Sequence, residues 1–149
     1  LGVACIIPLQ TERVIVKLDK QKKLQRFQRW EKIAINAVKQ SQRGKFVLIK
    51  TITDFKDAIA NVQDFDLKLI PTLETHGKTL KNIFNQTAHQ FKKIMVLIGP
   101  EGDFTPAEID MMSSGTNFRA VSLGRRVLKS DTAGLFVLSV LDYEFSKPT

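Results

Sequence analysis

The sequence holds a single cysteine, Cys5, and only two histidines, His76 and His89, in 149 residues. No internal disulfide is possible, and no His/Cys grouping has the spacing of a zinc or redox centre. Long hydrophobic runs are missing as well. The apolar stretches fall far short of the ~20 residues that span a bilayer, and Leu1–Val16 lacks the charged start and continuous apolar centre of a signal peptide. A cytoplasmic protein with no membrane segment and no metal is the expectation. The chain also carries no G-x-x-x-x-G-K-[ST] phosphate loop, no G-x-G-x-x-G, no G-x-S-x-G nucleophile turn and no H-E-x-x-H. Whatever chemistry it performs uses none of these devices.

Acids are scarce where bases are plentiful. Residues 13–50 contain 12 of the 23 Lys and Arg but only Asp19 and Glu31, so the overall charge of +8 is regional: +10 in that segment and −2 elsewhere. A localised cationic surface suits a polyanion, because each neutralised phosphate releases condensed counterions. For Lys20, Lys22 and Lys23 a solvated helix face that only aids solubility explains the run equally well. The remainder, 43% hydrophobic and 26% charged, is an ordinary globular composition, long enough for one domain with a substantial core.

Periodicity organises the chain as alternating strands and helices. Val3–Pro8 and Arg13–Lys17 read as strands. Asp19 caps a helix reaching about Arg43, with Leu24, Phe27, Trp30, Ala34, Ala37 and Val38 on one face that docks on the sheet. Aromatic residues in such a stripe read as core rather than as base-stacking platforms. Phe46–Ile49 is a strand, Phe55–Val62 a helix capped by Thr53 or Asp54, Asp66–Pro71 a strand and Lys78–Ala88 a helix. His76, in the loop Leu73–Lys78, reads as solvated. The order predicts an α/β fold, a mostly parallel sheet with helices on both faces.

Ile94–Ile98 is a buried strand that runs into Gly99-Pro100-Glu101-Gly102-Asp103-Phe104. Thr105, Pro106 and Glu108 then form a capping box and start a helix. About twenty residues on, the strand Phe118–Ser122 leads through Leu123-Gly124-Arg125-Arg126-Val127-Leu128-Lys129-Ser130-Asp131-Thr132-Ala133 into a helix from Asp131 to about Phe145. That helix is apolar on nearly every side and must be covered all round, by the core alone or by the sheet and a second subunit. In open α/β sheets ligands sit where strands deliver their carboxyl ends into such loops. Glycines there allow a flat ring to approach the backbone, and Ile98, Leu123, Val127 and Leu128 supply apolar walls.

Together these motifs carry a resemblance. Gly-Pro-Glu-Gly-x-Phe, Thr-x-x-Glu and Leu-Gly-x-Arg-Val-Leu-Lys-Ser-Asp-Thr-Ala, preceded in order by Leu1-Gly2-Val3, Arg13, Arg29-Trp30-x-Lys32-Ile33-Ala34 and Gln40-Ser41-x-Arg43, are similar to the bacterial 16S ribosomal RNA uridine-N3 methyltransferases of the SPOUT class. The resemblance spans essentially the whole chain. It implies a C-terminal deep trefoil knot, a rare exception to unknotted topology, a homodimer, S-adenosylmethionine (SAM) as methyl donor, and 16S ribosomal RNA or the small ribosomal subunit as partner. Residues 1–149 then correspond to the methyltransferase domain, without the β-rich RNA-binding domain that full-length members carry ahead of it.

The resemblance assigns SAM to Ile98, Gly99, Gly102, Leu123, Gly124, Val127, Leu128 and Ala133, and RNA to Arg13, Arg29, Arg43, Lys45 and Lys129. Removal of the uridine imide proton makes Glu101 a candidate base and Arg126 a candidate stabiliser of the developing anion. Glu101 reads equally as an acceptor for loop N–H groups, and Asp131 as the N-cap of the last helix rather than a catalyst. The chain departs from the family pattern in having Asp103 for Gly, Lys129 for Arg and Asp131 for Glu. A non-catalytic RNA-binding or ribosome-assembly module, and an α/β enzyme acting on a small adenosine compound, are the other readings.

Overall fold

A computed structural model describes residues 1–14, 18–73, 78–85 and 91–145. Twelve elements follow in order: β1 (Cys5–Ile6), β2 (Leu9–Gln10), α1 (Lys20–Gln40), β3 (Leu48–Ile49), β4 (Thr53–Asp54), α2 (Phe55–Ala60), β5 (Leu67–Pro71), α3 (Leu80–Asn85), β6 (Ile94–Val96), α4 (Pro106–Gly115), β7 (Arg119–Val121) and α5 (Ser130–Phe145). Every strand pairing among the described residues is parallel. The central sheet has the order β6-β5-β7, with Leu67 opposite Ile94 and Leu69 opposite Arg119.

Alternation along β5 builds two cores. Leu67 and Leu69 point to one face, joining Leu80, Ile83, Phe84, Val121 and Val137 from α3, β7 and α5. Ile70 points to the other, joining Phe55, Ile59, Leu97, Phe104 and Met112 from α2, α4 and the loop after β6. Each face of the sheet is thus covered by helices, as the strand-helix alternation implies.

The N-terminal half differs from the expected continuous sheet. It forms two separate two-residue pairs, β1 with β3 and β2 with β4. Pro8 sits at the break between β1 and β2, where it offers a carbonyl to the Thr53 N–H but has no N–H of its own to continue a ladder. Glu12 and Arg13 form a turn and Val14 lies outside any strand, rather than the expected strand Arg13–Lys17; residues 15–17 lie outside the described residues, as do His76, His89 and the end of the Lys78–Ala88 helix.

The helix α1 begins where its cap predicts: Asp19 accepts the Lys22 N–H at 2.8 Å, a bond that holds its carboxyl below the usual aspartate range. Its apolar face, however, is largely uncovered. Only Val38 is buried, Phe27, Trp30 and Ala34 are half-buried, and Leu24 and Ile33 are exposed. A 21-residue helix is roughly 30 Å long, whereas two-residue strands extend only about 7 Å. The sheet beneath is too short to cover it. The last helix is likewise covered on one side only, with Ala133 and Val137 buried and Leu135, Phe136 and Tyr143 exposed. No helix among the described residues is long and apolar enough to cross a membrane.

Candidate functional site

The three central strands end side by side, and the loops beyond their carboxyl ends enclose a cavity of about 200 Å³. The β6 loop contributes Ile98, Gly99, Pro100, Glu101 and Asp103, the β7 loop Ser122 to Leu128, and the end of β5 Pro71, Thr72 and Leu73. Ser130 and Ala133 close it from α5.

Local chemistry fixes these loops. Asp103 donates its N–H to the Pro100 carbonyl at 2.8 Å, closing a tight turn around Glu101 and Gly102. Phe104 anchors the turn in the core, 2% exposed, with its ring 5.8 Å from that of Phe55. Gly99 is required by close approach, since a Cβ there would lie 2.9 Å from Asp103 Oδ1 and 3.3 Å from the Phe104 ring. Gly124 is required by conformation instead, with φ +116° and open space around it. The Ser130 hydroxyl donates to the Gly99 carbonyl at 2.7 Å, tying α5 to the β6 loop.

The capping box at α4 is present in full and does more than end a helix. Glu108, 4% exposed, accepts the Thr105 N–H at 2.9 Å with Oε2, while its own N–H donates to Thr105 Oγ1. Oε1 accepts the Glu12 N–H at 3.0 Å, joining the turn after β2 to the β6 loop.

Seven of the eight residues assigned to the donor, Ile98, Gly99, Leu123, Gly124, Val127, Leu128 and Ala133, line this one cavity. Gly102 does not. It faces the Arg13 side chain in an adjoining cavity of about 290 Å³, whose walls include Leu9, Arg26, Trp30 and Glu101. Trp30, expected in the core, stands half-buried in that second wall. Glu101 borders both cavities, and Arg126 borders the first, its side chain exposed.

Two of the five arginines and lysines assigned to RNA are engaged with the protein's own backbone. Arg13 Nη1 donates to the carbonyls of Gly102, at 2.5 Å, and Phe104. Arg43 Nη1 donates to the Val3 carbonyl at 2.7 Å and Nη2 to that of Gly2. Arg29, Lys45 and Lys129 are exposed, and their side chains make no hydrogen bond or ion pair to other described residues. Asp131 is not the N-cap of α5: the helix starts one residue earlier, and the carboxylate accepts the N–H of Thr132 at 2.6 Å.

The local motifs did not reveal the wall supplied by Pro71, Thr72 and Leu73, nor the role of Ser130. The signal for that wall is strand order, because β5 lies between β6 and β7. Among the described residues no group of His, Cys, Asp and Glu could hold a metal ion.

The family model described as the RNA methyltransferase domain matches residues 1–142. The ribosomal RNA small subunit methyltransferase E of Bacillus subtilis is 31% identical over 147 residues, covering 97% of this chain and 57% of the relative. Its counterpart in Mesomycoplasma hyopneumoniae is 33% identical over 141 residues, covering 93% and 58%. Among solved structures, a Legionella pneumophila protein in complex with bound SAM matches with a TM-score of 0.84 and 34% identity over 95% of this chain and 56% of that one. The ribosomal RNA small subunit methyltransferase E of Neisseria gonorrhoeae, bound to S-adenosyl methionine, matches with a TM-score of 0.80 and 29% identity, covering 95% and 55%. The chain spans little more than half the length of the curated relatives it matches.

Proposed function

The chain belongs to the RNA methyltransferase domain family, and from that membership we propose that it is the SAM-dependent catalytic domain of a ribosomal RNA methyltransferase acting at N3 of a uridine in 16S ribosomal RNA. The observation that carries the reading is the single cavity at the ends of β5, β6 and β7, formed from both motif-bearing loops.

The lining fits the donor. SAM joins a flat adenosine to an amino acid through a cationic sulfur, so it needs apolar walls beside groups of both charges. Ile98, Leu123, Val127, Leu128 and Ala133 supply the walls, Glu101 and Asp103 the acids, and Arg125 and Arg126 the bases. When bound, SAM supplies an electrophilic methyl group. The chain's residues then hold donor and acceptor in line and shield them from water. Glu101, bordering both cavities, is positioned to take the imide proton. Arg126 stabilises the negative charge that develops on the uridine.

RNA is held by Arg29, Lys45 and Lys129, whose charges meet no acid of the described surface, with Arg26 and Trp30 at the second cavity. Arg13 and Arg43 act mainly as backbone staples. The knot belongs to this reading too, and rests on the resemblance of the two loop motifs to the SPOUT class. A second copy of the chain covers the open face of α5 at Leu135, Phe136 and Tyr143, and the cytoplasm, where ribosomal RNA is modified, is its place of work. The non-catalytic reading is not favoured, since the matched family and the relatives are methyltransferases.

Small ribosomal subunits lacking the modification, incubated with the protein and methyl-labelled SAM, test this directly by nuclease digestion and mass mapping. Label at uridine N3 is expected. Label on another atom overturns the uridine assignment, and no label despite SAM binding overturns the sufficiency of this stretch of chain.

A further inference from the structure

Asp103 is held in an unusual way for a residue on a cavity wall. Its backbone is left-handed, with φ +58°, a region that non-glycine residues seldom occupy. Both carboxylate oxygens are engaged: Oδ1 accepts the Phe104 N–H at 2.8 Å, and Oδ2 accepts the Leu73 N–H at 3.2 Å. The side chain therefore bridges the loop after β6 and the end of β5, two of the three walls. Two backbone donors fix its negative charge at the cavity, half-buried.

The other charges of the lining differ from it. Glu101 is exposed, and its carboxylate has no hydrogen bond to other described residues, so solvent screens it. Arg125 and Arg126, on the β7 loop, are exposed cations. Of the two, Arg125 favours the amino-acid carboxylate, which the donor and its demethylated product share.

Resting on the SAM reading, we infer that Asp103 is a specificity-determining residue: its fixed carboxylate makes the cavity prefer the cationic sulfonium donor over the neutral thioether product. Methyl transfer breaks the sulfur–methyl bond and leaves the electron pair on sulfur, so the positive charge disappears. The attraction to Asp103 disappears with it, and S-adenosylhomocysteine leaves readily. Attraction between a fixed carboxylate and a unit positive charge held in the same partly solvated cavity gives a preference of about fivefold to tenfold.

Isothermal titration of SAM and S-adenosylhomocysteine into the wild type and Asp103→Asn reads this out without any turnover. The amide keeps the size of the side chain and removes its charge. The ratio of the two dissociation constants is expected to fall about fivefold to tenfold in the variant, and the wild-type ratio to fall as salt rises. Loosening of the loops would weaken both ligands alike, so an unchanged ratio overturns the inference while leaving the SAM reading intact. Failure of the wild type to bind SAM overturns both. Should Asp103→Asn not fold, Asp103→Gly, which accepts φ +58° without strain, gives the same readout. Glu101→Gln is expected to move the ratio less than either, and an equal or larger effect also overturns the assignment to Asp103.

Discussion

Replacing Glu108 by alanine tests whether the β6 loop is held from below. The carboxylate is buried and accepts two backbone N–H groups, those of Thr105 and Glu12. Alanine supplies no acceptor for either. An orphaned, shielded N–H costs about 1–3 kcal/mol, and the Glu12 group, part-buried, belongs at the low end, so the pair gives a loss of about 2–4 kcal/mol. Against a total stability of about 5–15 kcal/mol for a domain, that is a large fraction. Urea unfolding followed by circular dichroism should show a lower midpoint with an unchanged slope. Glu108→Gln retains one oxygen and should recover about half of the loss. A loss below about 0.5 kcal/mol for Glu108→Ala would refute the view that this side chain rivets the turn after β2 to the start of α4.

Three further outcomes follow from single contacts. Ser130→Ala removes the bond to the Gly99 carbonyl, so stability should fall by about 1 kcal/mol in the same unfolding assay, with SAM affinity reduced severalfold by titration calorimetry. Gly124→Ala meets no neighbour within 4 Å but must adopt φ +116°; thermal melting should report about 1–3 kcal/mol of backbone strain. Asp66 accepts the backbone N–H groups of Lys93 and Lys92, each at 2.8 Å, which lower its pKa. Because the folded value is the lower one, its contribution is complete above the unfolded value and is lost as pH falls through the folded one. Asp66→Asn should therefore flatten the acid limb of a stability-pH profile below about pH 4.

Elements set by local chemistry were legible in the sequence. Thr105, Pro106 and Glu108 announce α4, Asp19 announces α1, and the apolar run at Ile94 announces β6, because caps and periodicity act within a few residues. Features that depend on distant partners were not. Pro8 divides the first strand only in the context of its pairing with Thr53, and α1 stays uncovered because of the length of strands elsewhere. The guanidinium of Arg13 or Arg43 suits a phosphate or a carbonyl equally well, and spacing does not say which lies nearer. Gly102 shares a motif with Gly99 yet faces the other cavity, since the turn closed by Asp103 reverses the chain between them.

The donor cavity is the centre of the account, and backbone amide shifts during titration of the protein with SAM test it most directly. Saturable perturbations at Leu73, Ile98, Gly99, Leu123 and Gly124, with one donor bound per chain, are the expected result. No binding, or perturbations confined to Arg13, Arg26 and Trp30 around the second cavity, would contradict it.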